Sequence, residues 1–139
     1  MKLSVKSDYA ARAVLALARR YGESRAMKIE ELAAANGIPA NYLVQILIEL
    51  KARNIVRSLR GKEGGYLLAR PPRSITLGEV LRCIHGPMFE TSSAESGSYP
   101  PELRDAWKRI QEGMDQLTDS IHFEKLVEEG AAKRSMYYI

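Results

Sequence analysis

The sequence predicts a mostly α-helical fold with one small β-hairpin: a helix-turn-helix, then a wing, then a long C-terminal helix suited to pairing. Three observations predict it. Apolar residues recur at helical spacing through most of the chain. Residues 55–70 read instead as two β-rich runs around a basic, glycine-punctuated tip. A late helical stretch then carries apolar residues at alternating intervals of four and three.

The first helix is expected to start after Ser7 as its cap, with Asp8 adding favourable negative charge to the first turn. Tyr9, Ala13, Val14, Leu17 and Tyr21 follow helical spacing and define its buried face, and Gly22 stops it. A short second helix runs from about Lys28 to Asn36 with Ile29, Leu32 and Ala33 inward, and Asn36-Gly37 makes the turn. Pro39 opens a third helix that continues to about Arg53.

That third helix is written on two faces. Leu43, Ile46, Leu47 and Leu50 fall at i, i+3, i+4 and i+7 and must pack inward. The opposite face carries Asn41, Gln45, Ile48 and Ala52. Two amides among small or apolar side chains suit a helix lying in a major groove, because an amide offers donor and acceptor together to an adenine edge. Ordinary surface amides would give the same letters, and the basic hairpin next in the chain tips the balance toward DNA. In that hairpin, Gly61, Gly64 and Gly65 permit tight turns and close backbone approach, while Arg57, Arg60 and Lys62 bring cations to the tip.

After Pro71-Pro72, Thr76 caps a fourth helix containing Leu77, Val80, Leu81 and Ile84, and Glu79 stands where a capping box requires it. Gly86-Pro87 ends this helix. Residues 90–98 are rich in Ser, Glu and Gly without periodicity and read as an exposed loop. Pro100-Pro101 opens the longest helix, expected to reach Asp119. Its seam is Leu103, Trp107, Ile110, Met114, Leu117 and Ile121, which suits lengthwise packing on a second copy, or on the body of its own chain. Gly113 weakens that helix by about 1 kcal/mol relative to alanine. Phe123, Leu126 and Val127 are expected to form a short terminal element. The expected organisation is thus a DNA-binding unit over residues 1–86, a flexible loop over 87–99, and a pairing helix with its tail over 100–139.

Charge follows the same division. Residues 1–86 hold 15 Lys and Arg against 7 Asp and Glu, a net of +8, whereas the rest holds 6 against 10, a net of −4. The basic part is therefore the one that would meet a polyanion. No run approaches the roughly 20 apolar residues of a membrane span, and the amino terminus lacks a signal-peptide core, so a cytoplasmic location is expected. The single cysteine, Cys83, excludes an intrachain disulfide framework and reads as a small buried hydrophobe more readily than as a redox switch. His85, His122, Asp8 and Glu90 could hold a metal only if folding or pairing brought them together, and no metal or cofactor is expected. Two histidines and one cysteine, without a phosphate-cradling loop, assemble no catalytic constellation. The competing reading is a winged-helix module used for protein interaction, a scaffold that does not read DNA. RNA binding is weaker, since the amide face is no aromatic stacking platform.

Five segments in order carry a family resemblance: Tyr9-Ala10-Ala11-Arg12-Ala13, Ile38-Pro39-Ala40-Asn41-Tyr42-Leu43, the run from Arg60-Gly61-Lys62-Glu63-Gly64-Gly65-Tyr66 to Leu67-Leu68-Ala69-Arg70, Ile75-Thr76-Leu77-Gly78-Glu79-Val80, and His85-Gly86-Pro87. Together they resemble the Rrf-type family of bacterial winged-helix transcriptional regulators, which includes IscR, NsrR and CymR, over nearly the whole chain. The resemblance implies a homodimer on a palindromic operator, with the third helix in the major groove and Arg60 at a wing tip in the adjacent minor groove. It puts Asn41, Tyr42 and Gln45 at or beside base-reading positions and matches Ser58, Arg60, Gly61 and Lys62 to wing contacts. With Lys28 and Arg57 these complete the candidate DNA-contacting set. Many members carry three cysteines before the long helix that bind an iron-sulfur cluster. Residues 88–99 contain none, so the chain resembles the cysteine-poor branch, with a regulatory protein or a small molecule as the expected effector.

Overall fold

The computed structural model describes residues 2–87, 89 and 97–137. The elements run α1 (Val5–Arg19), α2 (Ile29–Asn36), α3 (Ala40–Ala52), β1 (Val56–Leu59), β2 (Gly65–Leu68), a 3-10 turn at Pro72–Ser74, α4 (Leu77–Ile84), α5 (Pro101–Asp119) and α6 (Phe123–Tyr137). This is a winged helix-turn-helix followed by a long helix, as the sequence predicts, and then by a second C-terminal helix.

Helix α1 begins one turn earlier than expected. Ser4 is the cap and accepts from the Ser7 backbone N–H at 3.1 Å, while Ser7 itself is only 1% exposed. The face of α1 that carries Ala10, Ala13, Val14 and Leu17 takes Ser7 into the core with it, so the serine nearer the surface, Ser4, is left to cap. Tyr21, expected on the buried face, lies past the end of the helix and is 49% exposed.

Leu43, Ile46, Leu47 and Leu50 of α3 are fully buried and pack with Leu32, Val14, Ile55, Val56, Ile75, Val80 and Phe123 in one core. Gly37 closes α2 in the left-handed region (φ 64°), which makes the sharp turn that aims α3 across α2. At the far end of α3, Asn54 takes φ 58°, and Ile55 N–H returns to Leu50 O at 3.0 Å. That cap reverses the chain into the hairpin, with Ile55 packed back beneath the helix.

The hairpin is antiparallel, pairing Val56 with Leu68, Arg57 with Leu67, Ser58 with Tyr66 and Leu59 with Gly65. A third piece of backbone joins it: Met27 and Tyr66 exchange both main-chain hydrogen bonds, at 3.0 and 2.7 Å. Gly65 (φ 149°) is required here, because a Cβ would strike the Met27 carbonyl, whose carbon would be 2.6 Å away.

Thr76 caps α4 as expected, accepting from Glu79 N–H at 3.1 Å, but the capping box is not reciprocal. The Glu79 carboxylate pairs instead with Arg70, whose Nε also donates to Asn54 O at 3.1 Å. A guanidinium offers the carboxylate a charge-assisted bond that a backbone amide cannot match. Helix α5 ends at Asp119, so Ile121, placed by its spacing on the pairing seam, lies beyond the helix with its carbonyl accepting from Leu77 N–H at 2.9 Å. The terminal element is α6, 15 residues long rather than short, anchored by fully buried Phe123. The loop expected over residues 87–99 falls largely outside the described residues.

Candidate nucleic-acid interface

The exposed face of α3 presents Asn41, Gln45, Ile48 and Ala52. Ile48 is 55% exposed, an apolar side chain left open to solvent. The stripe opposite is fully buried, so this face cannot rotate inward without emptying the core. Tyr42 borders it: its ring meets that of Tyr9 edge-on at 5.7 Å, and the Arg12 guanidinium lies 5.6 Å from the other side of that aromatic pair, over Tyr9. Tyr42 therefore has its ring braced on one side while the residue stays 40% exposed.

The wing stands beside the C-terminal end of α3 and is tied to it. Lys51 Nζ, from the last turn of α3, donates to Ser58 Oγ on β1 at 2.7 Å. At the tip, Gly61 (φ 104°) makes the turn and Gly64 N–H bonds back to its carbonyl at 3.0 Å, leaving Arg60, Lys62 and Glu63 exposed. A Cβ on Gly64 would overlap the Leu59 carbonyl, so the tip closes only on glycine.

The structure brings together most of the residues selected from sequence. Lys28, at the first turn of α2, shares one shallow groove with Ser58, Arg60, Gly61 and Tyr66, and a second with Arg25, Lys62 and Gly64. Among the described residues no ion pair engages Lys28, Arg60 or Lys62, so these cations are free to meet an anion. Arg57 stands apart. Strand alternation puts it on the opposite side of the ribbon from Ser58, where it lines a cleft of about 290 Å³ with Tyr21 and Leu59.

Sequence reasoning missed Arg25 and Lys51. Arg25 joins the basic rim only because Met27 pairs with Tyr66, a contact across 39 positions, and Lys51 because the Asn54 reversal folds β1 back along α3. No local pattern carries either.

On α5, Leu103, Ile110 and Leu117 are 43%, 45% and 64% exposed, and none of the helix is buried. Trp107 is partly covered by its own chain: its indole N–H donates to the Tyr99 hydroxyl and its ring lies 5.6 Å from Phe89. Met114 is half-buried. Cys83 is half-buried on α4 with its Sγ 3.4 Å from Glu49 O, and burial pushes its thiol pKa up.

Comparison with known proteins agrees with this architecture. The model of the Rrf2 family, described as an iron-dependent transcriptional regulator, matches residues 3–129. The transcriptional regulator CymR of Bacillus subtilis is 31% identical over 141 residues, covering all of both chains. The Mycobacterium tuberculosis protein Rv1287 is 41% identical over 124 residues, 86% of this chain and 76% of that one. The solved structure of B. subtilis CymR, titled as its global cysteine regulator, superposes with a TM-score of 0.81 at 29% identity, covering 93% of this chain and 98% of that one. The IscR structure from T. potens gives 0.78 at 28% identity, over 94% and 88%.

The residues present do not fit an iron-sulfur cluster. The one thiol is Cys83, engaged with Glu49 O, and the described residues bring no three His, Cys, Asp or Glu side chains together as a metal site. Nor is any helix among them long and apolar enough to cross a membrane.

Proposed function

The chain belongs to the Rrf2 family and is a DNA-binding transcriptional regulator of that type, and on that footing we propose that it works as a homodimer on a palindromic promoter operator, most simply as a repressor whose occupancy excludes polymerase. The observation that carries this reading is the exposed Asn41 and Gln45 pair on a helix locked by its buried stripe, with an arginine-tipped wing alongside.

Each reading helix enters a major groove, where Gln45 and Asn41 reach base edges and Ile48 and Ala52 allow a close approach. Tyr42 and Ser58 add hydroxyls at the border. Arg60, beside the Gly61 turn, reaches the adjacent minor groove, and Lys28 and Lys62 take phosphates on either side. Arg57, on the far side of the ribbon, contributes to the field of the wing rather than to a base contact. Two copies pair through Leu103, Trp107, Ile110, Met114 and Leu117, while Ile121, beyond the end of that helix, supports the junction to the head. An effector, whether a regulatory protein or a small molecule, acts by distinguishing relative placements of the two heads.

Selection of bound fragments from genomic DNA, followed by affinity measurement across salt concentrations, tests this reading. It expects an inverted repeat and a log–log salt slope of about −4, as Lys28 and Lys62 of both copies neutralise phosphates and release counterions. No selected sequence and no salt dependence would leave the interaction-scaffold reading instead.

A further inference from the structure

No residue of α5 is fully buried, and its half-buried side chains, Trp107 and Met114 among them, give the helix only modest apolar support on its own chain. A polar junction adds to it. Arg82 of α4 grips two carboxylates one helical turn apart on α5: its Nη2 lies 2.6 Å from Asp119 Oδ1, and its Nη1 3.8 Å from Asp115 Oδ1. Thr76, the cap of α4, donates to the same Asp119 oxygen at 3.3 Å. Below this the backbone is stitched, with Leu77 N–H on Ile121 O at 2.9 Å and Phe123 N–H on Ile75 O at 3.0 Å. Gly78 makes the close approach possible, since a Cβ there would overlap Asp119 Oδ1 and lie 2.8 Å from Thr118 Oγ1.

We propose that the Arg82–Asp119 clasp, seated on Gly78, is a specificity-determining element: it sets the pose of the pairing helix against the reading head, and with it the half-site separation that a dimer spans. The stitched backbone holds one end of α5 to the head but leaves its direction free to swing. The guanidinium, bridging two side chains across one turn, removes that freedom. The spacing part of the proposal rests on the dimeric, operator-binding reading above. The pose of α5 does not depend on it.

Two measurements on the full chain test it. Spin labels on Ala35→Cys in α2 and Glu112→Cys in α5, in a Cys83→Ala background and diluted into unlabelled chain, report the head-to-helix distance within one copy. The unaltered clasp gives one narrow distribution, whereas Arg82→Ala and Gly78→Ala both broaden it, with the thermal transition of the head unchanged. Gly78→Ala keeps every charge and meets only side-chain atoms, those of Asp119, Thr118 and Arg82, so it separates the clasp from general electrostatics. On selected operators, Arg82→Ala lowers discrimination against a half-site spacing altered by one base pair about fivefold, the factor a partly exposed ion pair supplies, while affinity for a single half-site stays put. The charge-swapped pair Arg82→Asp with Asp119→Arg restores the narrow distribution. Narrow distributions in both single variants, or equal losses on half-site and full operator, overturn the proposal. Absence of any selected operator for the unaltered protein overturns the dimeric reading instead, with the spin-label distances still deciding the clasp.

Discussion

The reading head and the α5 helix are built on opposite principles within one short chain. The head carries a net charge of +8 over residues 1–86 around a closed core in which α3 alone contributes four fully buried side chains. The remainder carries −4, and α5 exposes Leu103, Ile110 and Leu117 without burying any residue. The core is closed, with Phe123 of α6 completing it, whereas α5 leaves an apolar seam uncovered within the chain. On the proposed dimer this difference predicts that stability and assembly are separable: substitutions in the head should act on folding, those on α5 on pairing, and those on the outer face of α3 on neither.

Substitutions can break that separation, beginning with the largest expected effect. Leu47→Ala, in the fully buried stripe of α3, is expected to cost about 2 to 5 kcal/mol in chemical denaturation, because it removes buried methyl groups and leaves a cavity. Ile110→Asp, on the 45% exposed seam of α5, should leave the unfolding of the head unchanged yet shift sedimentation to monomer at concentrations where the parent pairs. If Ile110→Asp unfolds the head, the two regions are one cooperative unit and the comparison fails.

Smaller effects sharpen it. Gln45→Ala should leave stability and pairing alone while relaxing base preference at one position per half-site by about 1 to 3 kcal/mol. Lys62→Ala should weaken binding uniformly across sequences and make the salt slope shallower by about 1 for each phosphate no longer neutralised. Competition assays on a panel of operator variants separate the two. The smallest effect concerns Cys83, whose burial raises its pKa. A raised value keeps the thiol protonated at neutral pH, so alkylation of the native protein should lag that of the unfolded chain and accelerate only as pH climbs above the ordinary thiol range. Fast native alkylation at neutral pH would return the redox role to consideration.

Much of the head is legible in the sequence because its signals are local. The i, i+3, i+4, i+7 stripe of α3 fixes both its buried face and, by subtraction, Asn41 and Gln45 on the outer one. The glycines of the wing likewise mark turns that only they can make. The illegible features depend on residues distant in sequence. Ser4 rather than Ser7 caps α1 because Ser7 itself is drawn into the core, which no spacing rule reports. Glu79 has the spacing of half a capping box, yet Arg70 arrives from the hairpin to take its carboxylate. Ile121 fits the seam arithmetically, but the chain leaves the helix after Asp119 to pair with the segment before α4, and the period cannot register that exit. Helix α6 exceeds its expected length because its residues, rich in Glu, Lys and Ala, favour helix by propensity without a strong apolar stripe.

Within the candidate interface, the sequence supplies the residues and the fold supplies their grouping. Lys28 and Lys62 come from elements far apart in the chain and meet only through the Met27–Tyr66 bridge. The same bridge brings in Arg25, and the turn at Asn54 brings in Lys51. The outcome is a basic rim with an uncharged amide face beside it, which in the proposed complex would divide phosphate attraction from base reading.

Hydroxyl-radical footprinting on an operator recovered by genomic selection tests this account most directly. It predicts two protected patches related by two-fold symmetry, with centres about 10 base pairs apart or a multiple of that, each shrinking when Asn41 and Gln45 are both replaced by alanine. A single unsymmetrical patch, or symmetric protection indifferent to both amides, would contradict the assignment of α3 as the reading helix of a paired molecule.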